Sequence, residues 1–205
     1  MEILTEVGED EVSELAQLLR PVSSEKSEEY AEALYRRFKT LERILCADFG
    51  DLSELAGERC ATHIKLLARI SSRRKTERFK FGKRHTKSEI ADYLKGLFLG
   101  LSVENLYVIS LDAESSVISC DLVAVGTVNA AGVIPRQLVE IAIKNGAESV
   151  ILAHNHPGGN ATPSNEDTSL TMSLTKVLSK AGIKLAGHFI ISGNSHCLID
   201  IVMDV

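Results

Sequence analysis

The sequence predicts an α/β domain preceded by a small helical unit, and three observations predict it. The chain has 205 residues, 44% hydrophobic and 25% charged, with a mean hydropathy of +0.05. That is enough for one ordinary domain with a smaller one attached, and too apolar for disorder to dominate. Apolar residues recur at helical spacing through the first third, then change from Lys87 onward to short strand-forming runs alternating with helical ones. Between the two textures lies a basic stretch with few large apolar residues. The expected organisation is a helical region at 1–70, a linker at 71–86 and a mixed-sheet domain flanked by helices at 87–205.

In the first region, Val12, Leu15, Leu18 and Leu19 keep helical spacing, as do Tyr30, Ala33, Leu34, Phe38, Leu41, Ile44 and Leu45 after a break at Pro21–Ser27. Leu52 and Leu55, then Cys60, Ile64, Leu67, Ala68 and Ile70, extend the pattern beyond Phe49–Gly50. In the second region, Ser88 can cap a helix carrying Ile90, Leu94, Leu97 and Phe98. Leu106–Leu111 and Val117–Val125 read as strands paired across a turn at Asp112–Ser116. Arg136–Asn145 is a helix introduced by Pro135, and Ser149–Ala153 a short buried strand. Ser164 opens a helix to about Lys180, closed by Gly182. Strands Leu185–Ser192 and Leu198–Met203 complete the domain.

No run reaches the ~20 apolar residues of a membrane span, and the acidic start is unlike a signal peptide. The expected location is cytoplasmic. Cys46, Cys60, Cys120 and Cys197 are scattered with no CxxC pair, which excludes a disulfide framework and a thiolate zinc knuckle and leaves small buried residues. The net charge of −5 is segregated. Residues 1–62 carry fifteen acids against seven bases, 65–87 ten bases against Glu77, and 88–205 twelve acids against six bases. Only 65–87 is a candidate basic surface, so any nucleic-acid contact through it should be weak and non-specific.

The chemistry concentrates in Ala153–Asp167. Alternate residues of an extended chain point to one side, so His154 and His156, ending a buried strand, can aim two imidazoles at one point. The Pro157-Gly158-Gly159 turn lets the chain double back, and Asp167, one turn into the next helix, can add a carboxylate oxygen. Two nitrogens and one oxygen with a position left for water make a catalytic zinc arrangement. Each part also has a plain alternative. Ser164 with Asp167 is equally an N-cap with an acid at the positive end of a helix, and Pro-Gly-Gly is by default a turn.

His-x-His, seven residues, Ser, two residues and Asp together resemble the JAMM (MPN+) metalloprotease motif, and the wider context resembles the RadC family. The residues that carry the wider likeness are Glu104 ahead of a strand ending Leu111-Asp112, Gly126-Thr127 followed by Pro135-Arg136, Ala153-His-Asn-His-Pro157, Pro163-Ser164 with Asp167, and Gly182-Ile183 leading to His188. The resemblance spans roughly 87–200. It implies a JAMM/MPN-like, cytidine-deaminase-like fold and a zinc ion held by His154, His156 and Asp167. It further implies Glu104 as general base and proton shuttle, Ser164 assisting the oxyanion, and hydrolysis of a peptide, isopeptide or related amide. The alternatives are a DNA repair-associated protein without catalysis and a metal-bearing scaffold.

The chain departs from the family pattern in two places near the site. His156-Pro157-Gly158-Gly159 stands where the family usually reads His-Pro-Ser-Gly, and Gly187 stands where an Asp usually precedes the late histidine, an Asp that could support the metal site. His188 itself is expected to be a structural strand residue, and His63, His85 and His196 to lie at the surface. The family also begins with a helix-hairpin-helix-like region, to which Phe49-Gly50-Asp51-Leu52 followed by Leu66–Arg73 is similar. Here the hairpin, Gly57–Thr62, has one glycine and an acid, which favours packing or self-association over phosphate binding. Substrate and oligomeric state are not written in the sequence.

Overall fold

A computed structural model describes residues 9–126 and 133–200, so the expectations resting on 1–8, on Thr127 and on 201–203 lie outside the described residues. The chain divides into two compact units, 1–74 with 99–102, and 75–98 with 103–205.

The first unit is helical: α1 (Glu9–Leu19), α2 (Ser27–Phe38), α3 (Leu41–Cys46) and most of α4 (Phe49–Thr76). The Pro21 break ends α1, whose last carbonyl, at Leu19, accepts from both Val22 and Ser23 amides. Thr40 caps α3, its side chain accepting from the Arg43 amide. Gly57 divides α4, because its φ of +78° is left-handed backbone that a helix does not contain. Leu15, Leu19, Leu34, Tyr35, Ile44, Leu52, Cys60 and Ile64 form the core, so most of the periodic residues turn inward, while Leu18 and Ile70 are exposed. Cys60 is buried and the other three cysteines half-buried, all of them free thiols.

The second unit holds α5 (Lys87–Phe98), β1 (Asn105–Leu111), β2 (Val117–Val125), α6 (Val133–Lys144), β3 (Ser149–Asn155), α7 (Asn165–Lys180), β4 (Lys184–Ser192) and β5 (Ser195–Ile199). The five strands form one mixed sheet in the order β2-β1-β3-β4-β5, with only the β3–β4 pair parallel. One face, carrying Leu106, Val108, Val150, Leu152 and Leu185, is covered by Leu138 of α6 and Leu174 and Leu178 of α7. The opposite face carries Tyr107, which meets Phe98 of α5 edge-on. The β1–β2 hairpin turns where expected, the Asp112 side chain accepting from the Ser116 amide at 2.7 Å.

The stretch read as a linker takes fixed positions. Its first residues continue α4 to Thr76, and the Phe79 ring is stacked between His85 at 4.0 Å and Tyr93 at 4.2 Å. Gly82 donates to Val117 O, and Val117 to Lys83 O, each at 2.8 Å. His85 is therefore not the free surface histidine expected. Its Nε2 sits 2.8 Å from Lys80 O while Phe79 covers its ring. The cap of α5 also lies two residues earlier than expected: Thr86 Oγ1 accepts from the Glu89 amide, and the Glu89 carboxylate accepts from the Thr86 amide. No described helix is long and apolar enough to cross a membrane.

Candidate metal centre

The site is built at the carboxyl end of β3. Leu152 and His154 alternate onto the face covered by α7, and His156, one residue past the strand, continues the ladder by donating its amide to Ile191 O at 2.8 Å. Gly158, at φ +70°, turns the chain back. Ser192 Oγ lies 3.0 Å from His156 O and 2.9 Å from Gly159 O, pinning this turn to the end of β4. The His156 ring is oriented by Nδ1, 2.9 Å from Asn160 O. Its Nε2 then faces inward, 2.8 Å from His154 Nε2.

The plain alternative for Ser164 and Asp167 holds and leaves room for the functional one, because the two oxygens of Asp167 face different groups. Ser164 caps α7, its Oγ accepting from the Asp167 amide at 3.0 Å, while Asp167 Oδ2 accepts from the Ser164 amide at 2.8 Å and from the Ser164 hydroxyl at 2.7 Å. That box fixes the carboxylate rotamer. Asp167 Oδ1 is left 3.0 Å from His154 Nε2, with Oδ2 3.5 Å from His156 Nε2. Each of His154, His156 and Asp167 offers one ligand atom within 4.8 Å of the others, a spacing that admits a metal ion.

Electrostatics keep His154 and Asp167 in the forms that a metal ion would need. Burial pushes His154 down to about 4, against the pull of Asp167 and with help from His156. Burial likewise opposes ionisation of Asp167, but the hydroxyl and amide of Ser164 and the two histidines outweigh it and hold its carboxyl below the ordinary value. A neutral imidazole and an ionised carboxylate are what a divalent cation needs.

His188 keeps its expected place as a structural strand residue and does more there than the sequence announces. It is a buried strand residue, 0% exposed, but its Nε2 lies 2.8 Å from His154 Nδ1 and its Nδ1 lies 2.7 Å from Thr171 Oγ1. Burial, with His154 nearby, lowers it to about 3. A bulge puts it there. Val150 pairs with Leu185 but Ile151 pairs with Gly187, so Ala186 is an extra residue that reverses the alternation, and His188 comes level with Leu152 on the α7 side. Gly187 falls on the other face, where a Cβ would stand 3.0 Å from Leu198 Cδ1. A side chain at 187 therefore points away from the metal centre, and the Asp that the family usually has there is no support that this site has lost.

Glu104 lies one residue ahead of β1. The antiparallel register ends with Leu106 opposite His154; carried two residues further, it would bring Glu104 opposite His156 on the α7 side that Leu106 faces. Its backbone is anchored, with the Glu104 carbonyl accepting from Gly126 at 2.7 Å. Asn155 Oδ1 accepts from the Asn105 amide and Asn155 Nδ2 donates to Val103 O. The ligand group closes without Glu104. Of the residues that position this site, Thr171 was within reach of the sequence, four residues after Asp167 on one helix face. Asn155, Asn160 and Ser192 carried no signal of their own.

Comparison with known proteins agrees with this architecture. Residues 84–199 match the model of the RadC-like JAB domain. A UPF0758 protein of Finegoldia magna is 46% identical over 92 residues, 45% of this chain and 41% of that relative. A UPF0758 protein of a Janthinobacterium is 30% identical over 177 residues, covering 85% of this chain and 79% of the relative, and one of Fusobacterium nucleatum is 34% identical over 176 residues, covering 81% and 76%. With a five-stranded mixed sheet flanked by helices and a His-His-Asp group at the end of its parallel pair, the chain belongs to the RadC family and carries its JAB domain.

Proposed function

We propose that the protein is a zinc-dependent hydrolase of a peptide, isopeptide or related amide bond, with His154 Nε2, His156 Nε2 and Asp167 holding the ion. One observation supports it most: two imidazole nitrogens and a carboxylate converge on one point while hydrogen bonds elsewhere on each group fix its aim. Two imidazole nitrogens and a carboxylate oxygen are a donor set suited to zinc, and three protein ligands leave a coordination position open. Bound zinc would supply Lewis acidity and a water acidic enough to ionise near neutral pH. Glu104 accepts the proton of the attacking water and returns it to the leaving amine, as its register position beside His156 favours. Ser164 has one hydroxyl hydrogen, given to Asp167 Oδ2 in the resting site. To assist the substrate oxyanion it rotates from that oxygen to the substrate.

The test is metal content per chain after purification without added zinc, followed by a peptide-library screen with the zinc form. One zinc per chain, lost in His154→Ala, is the expected result, and stoichiometric zinc surviving in the His154→Ala, His156→Ala double variant excludes the site. A second, non-catalytic contact with nucleic acid through the basic 65–87 stretch is favoured by the exposure of Arg73, Arg74, Lys75 and Arg78. It should be sequence-indifferent and fall steeply with salt. Tight, sequence-selective binding at physiological salt that persists after those four are neutralised excludes it.

A further inference from the structure

The buried pair Thr171 and His188 stands behind the site and takes no part in the steps above. Thr171 Oγ1 lies 2.6 Å from the Asp167 backbone carbonyl and 2.7 Å from His188 Nδ1. A threonine hydroxyl has one hydrogen to give, and a carbonyl can only accept. The hydrogen therefore goes to Asp167 O, and Thr171 receives from His188, whose Nδ1 must carry a proton. His188 is fully buried, with its two nitrogens against a hydroxyl and another imidazole and no carboxylate on either. A ring in that setting is neutral, so its Nε2 is bare and accepts. The hydrogen in the 2.8 Å contact between the two rings then belongs to His154 Nδ1. This leaves the His154 Nε2 lone pair directed at His156 Nε2 and Asp167 Oδ1.

We propose that Thr171 and His188 are positioning residues that lock His154 as its Nδ1–H tautomer, so that its Nε2 is permanently presented as a donor for a divalent cation. The proposal rests on the metal-binding reading of His154, His156 and Asp167. The chain of hydrogen bonds starts on the backbone carbonyl of Asp167 and ends on the ring facing the Asp167 carboxylate, so one buried relay ties the His154 ring to the helix that carries Asp167. The bulge at Ala186 is its structural requirement, since regular alternation from Leu185 would turn His188 to the other face.

The tautomers are read directly in the zinc-free chain labelled with ¹⁵N-histidine, by two-bond ¹H–¹⁵N correlations near pH 7.5, alongside titration with zinc alone. The wild type is expected to show His154 and His188 both as Nδ1–H. His188→Phe keeps a ring of similar size without an acceptor, and should release His154 to a mixture of tautomers and weaken zinc about 10- to 100-fold. Thr171→Val keeps the shape without the hydroxyl and should free the tautomer of His188, whereas Thr171→Ser restores the wild-type pattern and affinity. His154 found as Nε2–H in the wild type, or an unchanged His154 tautomer and zinc affinity in Thr171→Val and His188→Phe, overturns the proposal. A wild type that shows the expected tautomers, loses them in Thr171→Val and yet takes up no zinc sustains the lock and defeats the metal-binding reading instead.

Discussion

The two faces of the β3–β4 pair are built from neighbouring residues and have opposite chemistry. On the side of α7 stand His154 and His188, buried and linked ring to ring; on the other stand Asn155, Gly187 and Phe189. Each member of one set is adjacent in sequence to a member of the other. Substitutions one residue apart should therefore differ in kind, those at His154 and His188 reaching the proposed metal group and those at Asn155, Gly187 and Phe189 the scaffold around it.

The sharpest contrast is at the ligands. His156→Ala or Asp167→Ala should take bound zinc from one per chain to none by elemental analysis, because two remaining protein ligands hold the ion too weakly against water. Asp167→Ala should also cost about 1 kcal/mol of stability by opening the cap of α7, a loss that Asp167→Asn largely avoids while still weakening metal. Equal zinc retention in Asp167→Ala and wild type would remove the distinction between the faces.

Next in size is Glu104→Gln, which keeps shape, fold and zinc but removes the proton acceptor. Turnover of whatever substrate the screen finds should fall by about 10² to 10⁴, with a smaller fall for Ser164→Ala. Loss of zinc in Glu104→Gln would make Glu104 a ligand, and full activity would send the search for the base elsewhere.

A smaller effect separates the faces by pH. His154 and His188 are held at about 4 and about 3, below their ordinary 6.5. In the unfolded chain they bind protons below pH 6.5 while in the folded chain they remain neutral. The folded chain therefore loses stability progressively as pH falls from 6.5 towards 3, on the order of a few kcal/mol, and the loss levels off below that. Thermal melts of the metal-free domain should show this loss, with a shallower slope in His188→Phe. Smallest of all, Gly187→Ala should cost no more than about 1 kcal/mol, as Leu198 yields a few tenths of an ångström, and should leave zinc affinity unchanged. A tenfold drop in affinity there would show that the faces communicate.

Periodicity made most of the fold legible. Val117–Val125 was bounded to the residue, and the helix opened by Ser164 runs to Lys180 as its apolar spacing and Gly182 predict. The ligand candidates were legible because they lie within fifteen residues, where strand alternation and one helical turn fix direction locally. The part that stayed hidden depends on register. His188 is 34 residues from His154, and counting alternate positions from buried Leu185 puts it on the wrong face unless the extra residue at Ala186 is known. The order of residues 77–86 was hidden for a related reason: Phe79 finds its partners in His85 and Tyr93, and no periodic pattern announces a stack.

Asn155, the residue between the two histidines, has a consequence for motion. It faces away from the metal centre and its side-chain amide grips both Asn105 N and Val103 O, at 2.8 and 3.0 Å. The strand that bears the imidazoles and the loop that bears Glu104 are thereby buckled together and should move as one body. The Asn105 amide should exchange with solvent on the slow timescale of the sheet and not on the fast one of a loop, and Asn155→Ala should speed that exchange before it changes anything else.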